Sequence, residues 1–235
     1  MQKQFKKSCL LGVGLLGLAI APVATQAAEA ELTANASITS NYVFRGITQT
    51  DDSIAVQGGV DYVHEVGFYA GAWASNVDIE TSPGSGVFNG GFELDLYAGY
   101  NFKLNEDVLF DVGYILYEYT DSGNADAADL YFGASFKDVS VTYYLGDIDG
   151  GTNNDYSYID IKYSMALPSD FNLHVHYGNM SSDAASSDYQ DVAVGVSKEI
   201  EGFDVGLTLT TIDHDNSAAE DDIVFITASK AFNIM

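Results

Sequence analysis

Between residues 32 and 232, apolar and polar side chains alternate in about a dozen segments, joined by connections that are by turns short and long. In the clearest segment Phe92, Leu94, Leu96, Ala98, Tyr100 and Phe102 share one face, while Glu93, Asp95, Tyr97, Gly99 and Asn101 share the other. Ile159, Ile161, Tyr163 and Met165 stand in the same way against Tyr158, Asp160, Lys162 and Ser164. The period of two predicts strands over 32–47, 55–64, 67–78, 91–102, 107–118, 129–137, 139–146, 156–166, 171–179, 190–199, 203–212 and 222–232. An even set of about twelve such strands predicts an all-β fold, a transmembrane antiparallel up-and-down barrel.

The connections orient it. Short ones fall around Glu65, 104–106, Asp138, 168–170 and 200–202; long, acidic ones include 50–53, 79–90, 120–128, 147–155, 180–189 and 213–221. With both termini periplasmic, the short set is periplasmic and the long set external. An apolar-face aromatic marks nearly every short turn: Phe68, Phe102, Phe110, Phe136, Phe171, Phe203 and Phe232. Such a row predicts the inner aromatic girdle. A soluble lipocalin-like barrel shares the alternation, but accounts less well for the Gly-, Asn- and Asp-rich second face, the alternating turn lengths and the Phe row. The face that carries Trp73 is not legible, because Gly71, Ala72 and Ala74 give no contrast around it.

Residues 1–28 differ in kind. Lys3, Lys6 and Lys7 precede an apolar run over 10–21, then Pro22 and small residues lead to cleavage points after Ala27, Ala28 or Ala30. This predicts a Sec-type signal peptide over 1–28 and a barrel over 29–235, exported to the cell outer membrane. The single cysteine, Cys9, lies inside the signal, so the mature chain has no thiol and no disulfide. Loss of the three lysines moves the formal charge from −25 to −28, which excludes nucleic-acid binding. The basic side chains left are Arg45, Lys103, Lys137, Lys162, Lys198 and Lys230. The expected partners are outer-membrane lipid and lipopolysaccharide, the barrel-assembly machinery and small-molecule solutes. No cofactor or metal is expected, and oligomeric state is not legible.

The stretch Ser40-Asn41-Tyr42-Val43-Phe44-Arg45-Gly46-Ile47-Thr48-Gln49-Thr50, followed by Gln57-Gly58-Gly59-Val60-Asp61-Tyr62, resembles the opening of the proteobacterial TorF-type porins, also catalogued as Gcw_chp proteins. Residues 67–78, 93–100 and 194–198 carry the likeness further along the chain. The resemblance implies an outer-membrane barrel acting as a channel, and brings no substrate and no catalytic residue. Such barrels commonly end in an aromatic residue, whereas here Asn233-Ile234-Met235 follow Phe232.

In a barrel of this size the polar-face residues decide what passes. The candidates are Arg45, Asp61, Glu93, Asp95, Asp111, Tyr117, Asp129, Asp160, Lys162, His174, His176, Asp191 and Asp204. Acidic groups dominate, which predicts a cation preference. Arg45, the sole arginine, falls by parity on the inner face at the outer end of the first strand, where it narrows the pore, clamps a carboxylate or holds a loop by a wall-to-wall salt bridge. His174 and His176 project to one side, beside Asp160 and Lys162, as a pH-sensitive pair, a metal site or a hydrogen-bonded wall. Asp213-His214-Asp215 invites a hydrolase reading, but three neighbours in one loop make no catalytic geometry. Asp147-Ile148-Asp149-Gly150-Gly151 hints at calcium without the spacing of a calcium-binding loop. The reading is a non-enzymatic, porin-like channel for passive diffusion of small solutes. The alternatives are a non-conducting structural or adhesive barrel and, third, an outer-membrane hydrolase.

Overall fold

The computed structural model describes residues 29–80, 88–120, 126–148, 155–182, 188–214 and 220–235. The expected signal peptide over 1–28, Asp215, and Asp149-Gly150-Gly151 lie outside the described residues, as do parts of the long connections. Twelve strands close into one antiparallel barrel: β1 (Glu31–Thr39), β4 (Ala55–Val63), β5 (Phe68–Glu80), β6 (Phe88–Lys103), β7 (Val108–Tyr119), β8 (Ala127–Phe136), β9 (Val139–Ile148), β10 (Asp155–Leu167), β11 (Phe171–Ser182), β12 (Tyr189–Ile200), β13 (Phe203–His214) and β14 (Glu220–Asn233). Two further short strands, β2 (Val43–Phe44) and β3 (Ile47–Thr48), form a hairpin of their own within the first connection.

Each barrel strand pairs with its neighbour in sequence, and β1 pairs with β14 to close the ring. The last residues lengthen that seam. Ile234 and Met235 donate their backbone N–H groups to Leu32 O at 2.9 and 3.2 Å, and Leu32 N–H returns a bond to Met235 O at 3.1 Å. Asn233-Ile234-Met235, the departure from an aromatic ending, therefore continue the closing ladder.

The period of two sorts the wall into two faces. Phe92, Leu94, Leu96, Val192, Val194, Val196, Leu207 and Leu209 are exposed on the outer face, and all seven phenylalanines of the short-turn row are exposed with them. An apolar belt of this extent demands a hydrocarbon cover, which a membrane supplies. The ammonium groups of Lys198 and Lys230 each lie 4.9 Å from a girdle ring, Phe171 and Phe203 respectively. Their aliphatic stems cover the aromatic band while the charge reaches the interface.

The inner face is narrowed by tyrosines lying over glycines. A side chain at Gly113 would strike the hydroxyls of Tyr131 and Tyr69, so only glycine leaves these rings room against the wall. Tyr69 and Tyr131 are hydrogen-bonded to each other, and Tyr69 donates to Asp111 at 2.8 Å. Trp73 also points inward, edge-on to Tyr42 at 5.5 Å.

One boundary departs from the pattern. The expected first strand over 32–47 stops at Thr39, and the chain then turns into the barrel. Small polar side chains end the ladder: the Thr39 hydroxyl donates to Asn41 O at 2.8 Å, and Ser40 Oγ accepts Ile226 N–H at 3.0 Å. Local bonds of this kind compete with strand pairing. Arg45 is therefore not a strand residue placed by parity; it sits with positive φ (49°) at the hairpin tip, next to Gly46 (φ 81°).

The orientation of the faces has a direct consequence. Val194 lies mid-strand on the outer face, so Val194→Arg is expected to destabilise the barrel in vesicles by about 2–4 kcal/mol. A urea unfolding midpoint equal to that of the unsubstituted barrel would place this face toward water.

Candidate functional site

The hairpin crosses the lumen. It is knotted at its base: Tyr42 N–H donates to Thr50 Oγ1 at 3.0 Å, Thr48 Oγ1 donates to Asn41 Oδ1 at 2.6 Å, and Asn41 Nδ2 donates to Asp52 Oδ1 at 2.7 Å. Its outgoing arm is tied to the wall where Asp78 N–H of β5 donates to Gln49 O at 2.8 Å. At the tip, Gly46 lies so close to β12 that a Cβ there would come within 2.7 Å of Asp191 Cβ. Only glycine satisfies both that approach and the positive φ.

Arg45 clamps the tip. Its Nη2 donates to Asp129 Oδ2 of β8 at 2.7 Å, with both side chains buried. The guanidinium lies 4.5 to 5.5 Å from the rings of Phe44, Tyr144, Tyr156 and Tyr158, within cation–π range of each. Burial disfavours its charge, but the neighbouring Asp129 outweighs this and holds its pKa well above the usual guanidinium value. Asp129 also accepts from Tyr117 at 3.0 Å and Tyr156 at 2.6 Å, so the carboxylate has three donors. Of the sequence alternatives for Arg45, the structure shows the salt bridge that holds a loop.

The thirteen candidate residues all face the interior, but they divide into dissimilar groups. On β10 to β12, Asp160 meets Lys162 at 2.7 Å and His176 Nδ1 at 3.1 Å. His176 Nε2 meets Asp191 at 2.6 Å, and Tyr158 donates to Asp191 at 2.8 Å. His174, in contrast, is bonded to Ser164 and Ser197, at 3.1 and 3.2 Å. The two histidines therefore form no shared site. Asp61 accepts from Tyr97, Asp111 accepts from Tyr69, and Asp204 lies on the inner face of β13 near the short-turn end. Glu93 and Asp95 are fully buried on β6, where Glu93 accepts from Tyr119 at 2.7 Å and Asp95 has no hydrogen-bond partner.

Between the hairpin and the wall, from β9 to β14 and at Tyr117 of β7, lies a cavity of about 50 Å³ that is partly open to solvent. Arg45, Lys162, His176 and Asp191 give it polar groups; Phe44, Tyr117, Tyr144, Tyr158 and Phe225 give it rings. No group of three or more His, Cys, Asp or Glu side chains gathers into a metal site among the described residues. Asp213 and His214 end β13, where His214 packs against the Tyr189 ring at 5.5 Å.

The family described as "Bacterial protein of unknown function (Gcw_chp)" matches residues 23–234. The chain belongs to the Gcw_chp family. The match carries that description alone and does not bear on the TorF designation. No curated protein matches this Gcw_chp chain. Among solved structures, the KdgM porin superposes with a TM-score of 0.55 at 11% identity, over 85% of this chain and 99% of that one. The NanC porin gives 0.53 at 12% identity, over 87% and 100%; the CymD monoaromatic hydrocarbon channel gives 0.52 at 10% identity, over 87% and 88%. At these identities the likeness is one of fold: outer-membrane barrels of similar build.

Strand parity finds the inner-face residues of the Gcw_chp barrel but not the hairpin contacts, nor the roles of Tyr42, Trp73, Tyr144 and Tyr156. The available signal is the lone arginine next to glycine in Tyr42-Val43-Phe44-Arg45-Gly46, between two clusters of small polar residues. Breaking a buried ion pair costs about 3–5 kcal/mol, so Arg45→Ala is expected to shift hairpin docking by roughly a hundredfold or more. Trp73 is the only tryptophan and touches Tyr42, so undocking should shift its fluorescence to the red and open it to acrylamide. An unchanged spectrum would show that the hairpin stays in place without the clamp.

Proposed function

We propose that this barrel is a passive outer-membrane channel for small neutral and cationic solutes, which pass between the docked hairpin and the wall. One observation carries the reading: beside the docked hairpin lies a cavity, partly open to solvent, whose wall combines charged groups (Arg45, Asp160, Lys162, His176 and Asp191) with aromatic rings. A twelve-stranded barrel lies between the eight-stranded kind, which side chains can fill, and the sixteen-stranded porins with an open channel. The fold shared with the KdgM and NanC porins and the CymD channel supports a transport role.

Charge supports the preference for cations. Asp61, Asp111 and Asp204 face the lumen without a lysine or arginine partner among the described residues, while Arg45 and Lys162 are each bound to a carboxylate. A wall of this sign raises the local concentration of cations and repels polyanions. The KdgM porin has been solved with oligogalacturonate, an acidic oligosaccharide; this lumen has the opposite preference on our reading. We read the protein as non-enzymatic. The buried clamp favours a second reading, in which the hairpin stays shut and the barrel serves a structural or adhesive role.

Reversal potentials across a planar bilayer under a salt gradient test both. The expected result is conduction with cation preference. Asp61→Asn with Asp111→Asn should lower the cation-to-anion permeability ratio, by up to about fivefold per charge if each contributes about 1 kcal/mol. Anion selectivity would overturn the preference, and no conductance in either the unsubstituted or the Arg45→Ala barrel would favour the second reading.

A further inference from the structure

Glu93 and Asp95 stand two residues apart on β6 and so share its inner face. Neither has any solvent exposure, and three of their four carboxylate oxygens have no hydrogen-bond partner: Oε2 of Glu93 and both oxygens of Asp95. A second, independent group points the same way. Tyr42, on the chain leading into the hairpin, is 1% exposed; its hydroxyl is turned toward Glu93 without a hydrogen bond of ordinary length and angle, and it interacts electrostatically with both carboxylates. Carboxylates buried side by side must be neutralised, by protons or by a counter-charge, and among the described residues no basic side chain does so here. Arg45 is bound to Asp129 and Lys162 to Asp160. Lys103, Lys198 and Lys230 lie toward the short-turn ends of their strands, and Lys137 and His64 lie in short turns. His174, His176 and His214 are engaged with Ser164 and Ser197, with Asp160 and Asp191, and with Tyr189. Beyond residue 28, the segments outside the described residues contain no Lys, Arg or His at all.

The neutralising species must therefore come from solution, as protons or as a cation. We propose that Glu93, Asp95 and the Tyr42 hydroxyl bind a hard divalent metal cation of the calcium class. One proton neutralises one carboxylate, whereas a single divalent ion neutralises both and takes the unpartnered oxygens as ligands. All the donors are oxygens, as calcium prefers, and a set of so few protein ligands places affinity in the weak range of roughly 10⁻⁴–10⁻³ M. Because Tyr42 enters with the hairpin and the carboxylates belong to β6, the ion fastens the hairpin's root to one wall while Arg45 fastens its tip to another. The proposal rests on the geometry of the site and holds whether or not the barrel conducts.

Terbium, a luminescent calcium substitute, tests it on the refolded mature barrel in detergent micelles. Trp73 is the only tryptophan and packs on Tyr42, so excitation through tryptophan reports ions bound at this spot rather than at the outer loops. The expected result is a saturable signal displaced by calcium. It should weaken at least tenfold in Glu93→Gln with Asp95→Asn and severalfold in Tyr42→Phe, and should be retained in Asp107→Asn, a short-turn control. Heat-modifiable gel migration verifies that each variant is a folded barrel; if the double variant does not fold, Tyr42→Phe decides. No sensitised signal at neutral pH, or a signal undiminished by these substitutions, would overturn the proposal. Bilayer conductance, measured separately, distinguishes this failure from that of the channel reading.

Discussion

A hydrocarbon bilayer offers no partner to a backbone N–H or C=O group, and the whole molecule answers that constraint. A closed antiparallel ladder satisfies these groups within the wall, which is why β1 must find β14 across nearly the full length of the chain. The final residues matter for the same reason: Ile234 and Met235 bond to Leu32 at the seam instead of leaving its end open. Closure also creates a protected interior, and irregular backbone at membrane depth is tolerated only in such a place. The hairpin depends on it. Its turn, with Arg45 and Gly46 at positive φ, and its knot of Asn41, Thr48 and Thr50 would find no partners in lipid.

The barrel was legible because lipid imposes one rule on every strand. From 55 onward each expected strand matches an observed one within a few residues, since a slip of one position would turn an entire apolar face inward. The hairpin obeys no such rule. Val43 and Ile47 are spaced as they would be on a strand, and the break lies in the side-chain bonds of Thr39, Ser40 and Asn41, which a period of two cannot register. Trp73 was ambiguous for a related reason. Its neighbours are small on both faces, and the ring that settles its direction belongs to Tyr42, on a segment whose path was itself hidden. Parity likewise lists the inner-face carboxylates but not their partners, for Arg45 and Asp129 are 84 positions apart.

Partners divide these carboxylates more sharply than position does. Asp61 and Asp111 accept from the hydroxyls of Tyr97 and Tyr69; Asp129, Asp160 and Asp191 combine tyrosine or histidine contacts with the few cations available. A phenol hydrogen bond shields a carboxylate without cancelling its charge. A substitution that removes a tyrosine hydroxyl therefore alters the shielding of Asp61 or Asp111 while leaving the carboxyl group in place.

Scarcity of positive charge gives the arrangement its direction. With one arginine in the chain, the barrel can neutralise a carboxylate at the hairpin tip or one at its root, and the structure spends it at the tip. The root is left with Glu93 and Asp95 against Tyr42, acidic and closed to water. A permanent clamp at one end and an exchangeable one at the other make the hairpin responsive to what the solution contains. An arginine cannot leave its site, but an ion can, so any sensitivity of the lumen to the surrounding medium is expected to enter through β6.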